Sequence, residues 1–174
     1  MKKSVQFLLL FLMCISASWT WASDAPERTV LFNMGDYDSQ YWRIPALVTA
    51  ADNSLVAVVD KRGSSLGDLP NTISIMSRRS TDNGKNWSEP VVVAQGGNGK
   101  TYGDPAVVLD KKTGNLICMF VGDQGLWNAT PYNRQGIYVS KSTDNGVSWS
   151  EPVAITDQVY ANHSGWYAGF AGSG

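Results

Sequence analysis

From about residue 40 onward the chain alternates short apolar runs with clusters of Gly, Asn, Asp and Pro, the runs recurring every 10 to 16 residues. None of them sustains a 3.6-residue apolar period, so the pattern predicts an all-β fold. It predicts strands near residues 43–50, 54–60, 72–79 and 87–94, and again near 104–110, 115–121, 136–141 and 149–156.

The two sets of four are copies of one unit. Ser80-Thr81-Asp82-Asn83-Gly84-Lys85-Asn86-Trp87 recurs as Ser142-Thr143-Asp144-Asn145-Gly146-Val147-Ser148-Trp149, and both copies continue Ser-Glu-Pro-Val. Upstream, Pro45-Ala46-Leu47-Val48 matches Pro105-Ala106-Val107-Val108 and Leu55-Val56 matches Leu116-Ile117, at offsets of 60, 61 and 62. Four antiparallel strands per unit, repeated radially, predict propeller blades. In the octapeptide, Asp accepts N–H bonds inside its own turn, Gly supplies a positive φ, and Trp is expected to plug the adjacent sheet. The EF-hand spacing of a calcium loop is missing, so the turn reads as structural and no metal is assigned.

Strand direction sorts the loops. With antiparallel neighbours, the octapeptides lie on one face. The opposite face gathers Arg43, the Lys61 to Asn71 loop, Asp104 and the Gly122 to Gln135 loop, and any site is expected there.

Composition narrows the possibilities. The 14 Lys and Arg nearly balance 15 Asp and Glu. That leaves no basic footprint for a phosphate backbone, and nucleic acid is excluded as a partner. Seven Trp and seven Tyr suit inter-sheet packing and contact with sugar faces. Lys2 and Lys3 precede the apolar run Phe7 to Met13, and the small residues Ser16, Ala17, Ser18 and Ala22 follow. This reads as a secretory signal peptide over 1–22, with the mature region at 23–174. The run is too short to span a bilayer, and no later stretch is long enough. Export places the protein outside the cell or in the periplasm; acylation at Cys14, as in a surface lipoprotein, is disfavoured by the bulky Met13 before it. With Cys14 removed, Cys118 has no partner for an intrachain disulfide, and its apolar surroundings mark a buried structural thiol. His163, the single histidine, forms no metal-ligand cluster.

Tyr41-Trp42-Arg43-Ile44-Pro45 resembles the (Phe/Tyr)-Arg-Ile-Pro signature of sialidases, and the octapeptides resemble their Asp boxes. Asp60-Lys61-Arg62 followed six residues after Arg62 by Asp68 matches as well, and the likeness runs from about Val30 to Gly174. It implies a six-bladed propeller of four-stranded blades, of which this chain holds about the first two and, at Gly169 to Gly174, the start of a third. It further implies that Arg43 is one of three arginines clamping a sialic acid carboxylate and that Asp68 is the general acid/base. By the same likeness, Arg62 and Asp104 hold ring substituents, chiefly the 4-hydroxyl, and Trp127 walls the N-acetyl pocket.

The bare residues leave other readings open. Gly67-Asp68-Leu69-Pro70 also reads as a plain turn, Arg62 as a structural ion-pair partner and Trp127 as packing. The resemblance implies hydrolysis of terminal α-linked sialic acids on glycoproteins, glycolipids or oligosaccharides, with no metal or cofactor. The nucleophilic Tyr, its Glu and two further arginines would come from later blades; Tyr160, Tyr167 and Glu151 fall too early in the repeat to be those residues. A catalytically inactive sialic-acid-binding propeller and an Asp-box scaffold are the alternatives.

Overall fold

The computed structural model describes residues 28–63, 65–161, 163–169, 171 and 172. The predicted signal segment 1–22, Cys14 included, lies outside the described residues, as do Phe170, Ser173 and Gly174 of the expected third unit.

Eight strands form two four-stranded antiparallel sheets. In the first, β1 (Tyr41–Thr49), β2 (Leu55–Arg62), β3 (Ile73–Ser80) and β4 (Val91–Ala94) pair in sequence order. In the second, β5 (Tyr102–Leu109), β6 (Leu116–Gly122), β7 (Gly136–Ser142) and β8 (Val153–Ala154) do the same. The expected fourth strands are longer than those formed. Pro90 and Pro152 lack the N–H a ladder needs. Ahead of each proline a serine side chain takes over part of the pairing. Arg79 N donates to Ser88 Oγ and Lys141 N to Ser150 Oγ. Two short helices, α1 (Gly125–Asn128) and α2 (Thr156–Tyr160), went unforeseen because neither is long enough to show a period. Among the described residues no helix is long and apolar enough to cross a membrane.

The sheets pack face to face through a main core, with a second buried cluster of Leu69, Ile73, Val121, Ile137, Tyr160 and Ala171 beside it. In the main core Val56, Val58 and Ile75 of the first sheet meet Tyr102, Leu116, Cys118 and Phe120 of the second. Burial pushes the Cys118 thiol up to about 12, as befits a structural cysteine.

Each octapeptide is the turn between the third and fourth strands of its sheet. Asp82 Oδ1 accepts from Asn86 N at 2.8 Å and from Ser80 Oγ at 2.8 Å, while Gly84 N donates to Ser80 Oγ. Asp144, Ser142, Ser148 and Gly146 repeat this network. Asn83 and Gly84 have φ of 59° and 87°, and Asn145 and Gly146 of 59° and 86°, a left-handed pair that Asn-Gly adopts readily. The tryptophans diverge. Trp149 Nε1 donates to Ser77 Oγ of β3 at 3.0 Å, so the second turn is fastened to the first sheet. Trp87 donates to Gly84 O within its own turn instead; both rings are half-buried, but Trp149 packs against the core between the sheets and Trp87 is not the buried plug expected. The difference is positional: the plug belongs between sheets, and among the described residues no sheet precedes the first.

Both leading strands carry the same irregularity. Pairing slips between Arg43 and Ala46 in β1 and between Gly103 and Ala106 in β5. At each slip the residue ahead of a proline turns left-handed, Ile44 at φ 52° and Asp104 at φ 56°. Such a backbone is uncommon outside glycine, most of all for a β-branched residue, and costs about 1–3 kcal/mol. Strain repeated at one structural position marks the end of the sheets where Arg43 lies.

Candidate functional site

Register places that end. Tyr41 pairs with Arg62 and Arg62 with Ile73, whereas Thr49 pairs with Leu55 and Leu55 with Ser80. Arg43, Arg62 and the β2–β3 loop therefore sit at one end of the first sheet and the octapeptide at the other. The eight residues of β3 separate them by roughly 23 Å at 3.3 Å per residue.

Arg43, Arg62, Asp68, Asp104 and Trp127 all line one cavity of about 360 Å³, together with Ile44, Leu69, Gly103, Leu126 and Gln135. Five parts of the chain build it: the start of β1, the start of β5, the end of β2 with the loop after it, the loop after β6 with α1, and Ala171-Gly172.

Asp68 stands between the two arginines. Its Oδ1 accepts from Arg62 Nη1 at 2.6 Å and from Arg43 Nη1 at 3.3 Å. The two cations are otherwise unlike. Arg43 is 41% exposed and Asp68 58%, so both are open to a ligand, whereas Arg62 is 1% exposed. Arg62 also donates to the carbonyls of Leu66 and Gly67, drawing the loop in. Asp68 opens a turn at the same time, since Asn71 N donates to Asp68 O at 3.1 Å, so the plain-turn reading and the site placement hold together.

Beneath Arg62 lies Asp60, fully buried, whose Oδ2 accepts from Arg62 Nη2 at 2.7 Å and Nε at 3.2 Å. Two apart on one strand, the side chains share a face. Burial pushes the Asp60 carboxyl up to about 7 against the pull of Arg62. Asp104 is raised too, by burial first, with Arg62 opposing. For Arg62, burial acts downward but is outweighed by its bonds to Asp68 and Asp60, and its affinity for the proton rises.

Trp127 is 81% exposed, so packing does not hold it; it stands as an open aromatic wall. In the sequence, Asp60 and Ile44 stand within motifs but carry no assigned role, and Gln135 marks only the edge of a loop. The Asp-x-Arg spacing on a strand was the available signal for Asp60. Gln135 is buried at the end of the rim loop, where its Oε1 accepts from Gly169 N, and only folding reveals that contact.

Residues 44–174 match the family described as BNR repeat-like domain. A sialidase of Bacteroides fragilis is 33% identical over 159 residues, covering 80% of this chain and 28% of its own length. One from Paraclostridium sordellii is 30% identical over 199 residues, covering all of this chain and 49% of its own. Among solved structures, the Hadza microbial sialidase Hz136 superposes with a TM-score of 0.64 at 32% identity, over 72% of this chain and 28% of that one. The NanB sialidase of Streptococcus pneumoniae reaches 0.64 at 16% identity, which speaks to the fold alone. The chain thus spans less than half the length of these relatives, and its two sheets correspond to part of a propeller.

Proposed function

The chain belongs to the BNR repeat-like domain family, and from that premise we propose that the complete protein is an exo-sialidase whose cavity over Arg43 and Asp68 forms part of the active site. The carrying observation is the meeting, in one open cavity, of an accessible guanidinium and an accessible carboxylate backed by a buried arginine. Arg43 presents a planar fork suited to a sugar carboxylate. On binding, the ligand's carboxylate takes Arg43 from Asp68, which then keeps Arg62 alone. Asp68 donates a proton to the glycosidic oxygen as the C–O bond breaks, and later takes one from the attacking water. Asp104 meets ring hydroxyls and Trp127 walls the N-acyl group, while Arg62, buried behind Asp68, acts on the sugar only through that carboxylate. On this reading a tyrosine nucleophile with its activating glutamate, and two further arginines, come from later blades of the complete protein. Export through residues 1–22 puts this chemistry where sialylated glycoconjugates are displayed.

The test is kinetic and uses the complete protein. Arg43→Ala should raise KM for every sialoside, while Asp68→Ala should slow natural linkages by about 100-fold and activated aryl sialosides far less, because the latter need little protonation. Equal losses on both substrates in Asp68→Ala would remove the acid role, and an unchanged KM in Arg43→Ala would remove the clamp. Wild-type protein that binds sialic acid without turning over any sialoside would favour the inactive lectin-like alternative.

A further inference from the structure

Asp60 and Arg62 are the buried charged side chains among the described residues, at 0% and 1% exposed. A buried pair of this kind is a poor source of net stability, because desolvating two ions offsets their attraction. Its geometry is more informative. Asp60 Oδ2 takes one edge of the guanidinium, Nε and Nη2, and since that group is planar, the direction of Nη1 is fixed toward Asp68. Asp60 Oδ1 accepts from the backbone N–H of Asp104 at 3.1 Å, a contact between the two sheets. This bond is made at the left-handed residue of β5, where the backbone needs external support. A Cβ on Gly103 would lie 3.5 Å from Asp60 Oδ2 and 3.8 Å from Oδ1, so the β5 backbone closes directly over the carboxylate.

We propose that Asp60 is the positioning residue of the site: one carboxylate aims Arg62 at Asp68 and, through the amide of Asp104, sets the opposite wall at the correct distance. It touches no ligand and acts through Arg62 and Asp104. The kinetic consequence rests on the acid/base reading of Asp68, because misdirecting Arg62 disturbs the group that must protonate the leaving oxygen.

Two readouts in the complete protein decide it. Asp60→Asn keeps the shape but turns an acceptor into a donor or an uncharged oxygen toward the guanidinium. Its kcat/KM should fall by about 100-fold on a natural linkage and less than about tenfold on an aryl sialoside, the same selectivity as Asp68→Ala. A merely structural role would lower both equally, and that result overturns the proposal. The second readout needs no activity and no change at Asp60. In nitrogen-15 NMR spectra the Arg62 Nε–H should exchange slowly with solvent in wild type and equally slowly in Asp68→Asn, a change at an exposed position. Retention supports Asp60 as the holder, and disappearance in Asp68→Asn shows that Asp68 held Arg62 and overturns it. If Asp68→Ala itself loses equally on both substrates, the acid/base reading falls while the NMR result still decides whether Asp60 holds Arg62.

Discussion

The two octapeptide glycines share a backbone but not an environment, and the contrast isolates what contact between sheets demands of a single residue. Gly84 and Gly146 have φ of 87° and 86°. A Cβ on Gly84 would find its nearest atom at 3.7 Å, on Leu55, whereas one on Gly146 would strike Val56 Cγ2 at 2.7 Å. Gly84→Ala should therefore cost about 1 kcal/mol, from the left-handed backbone alone. Gly146→Ala should cost about 1–3 kcal/mol more, because Val56 is itself fully buried and cannot retreat. Denaturant unfolding of the two variants measures the gap. Equal losses would mean that the second turn is not seated on the first sheet.

At the scale of the element, the octapeptide turn is an acid-sensitive clasp. Backbone and side-chain N–H groups of Asn86, with Ser80, hold the Asp82 carboxyl down to about 2. Asp144 is lowered as well, burial working upward but losing to bonds from Ser148 and Ser142. A carboxyl whose folded pKa lies below its unfolded value near 3.8 stabilises fully above that value. The contribution is lost as pH falls toward the folded pKa. Stability should thus drop between about pH 4 and pH 2. Asp82→Asn should be less stable at neutral pH yet show a shallower fall in that window, as followed by circular dichroism in acid titrations. An undiminished fall in Asp82→Asn would place the acid sensitivity elsewhere.

For the whole molecule, the decisive fact is how much apolar sheet is open. On the second sheet, Val108 pairs with Ile117 and Met119 with Val139, which pairs in turn with Val153. These side chains share the face turned away from the core, and Val108 and Val153 are 58% and 59% exposed. A repeat unit buries such a face against the next one, and this chain spans less than half the length of the relatives it matches. Residues 23–174 expressed alone should be poorly soluble. They should show no turnover of a fluorogenic aryl sialoside, the substrate least dependent on Asp68, because one accessible arginine and one carboxylate provide neither covalent partner nor charge enclosure. Turnover above an Arg43→Ala control would refute this.

Repetition makes most of this fold readable from the amino-acid sequence. Two copies of one octapeptide fix the strand count per unit, its direction rule places Arg43 and Asp68 on the far end from both turns, and alternation of apolar residues sets which faces pack. Such features are local, carried by turn chemistry and the two-residue period of a strand. What folding alone decided is contact between residues distant in sequence. Asp60 reads as the first of three charged residues that close an apolar strand, and its meaning comes from the Asp104 amide 44 residues away. Trp87 and Trp149 sit in matching octapeptides, yet one caps its own turn and the other crosses 72 residues to Ser77. The left-handed backbone at Ile44 and Asp104 gave no sign either, because a residue ahead of proline is biased to extended backbone; it accompanies the slip in strand pairing, and at Asp104 the bond from Asp60 across the sheets holds it.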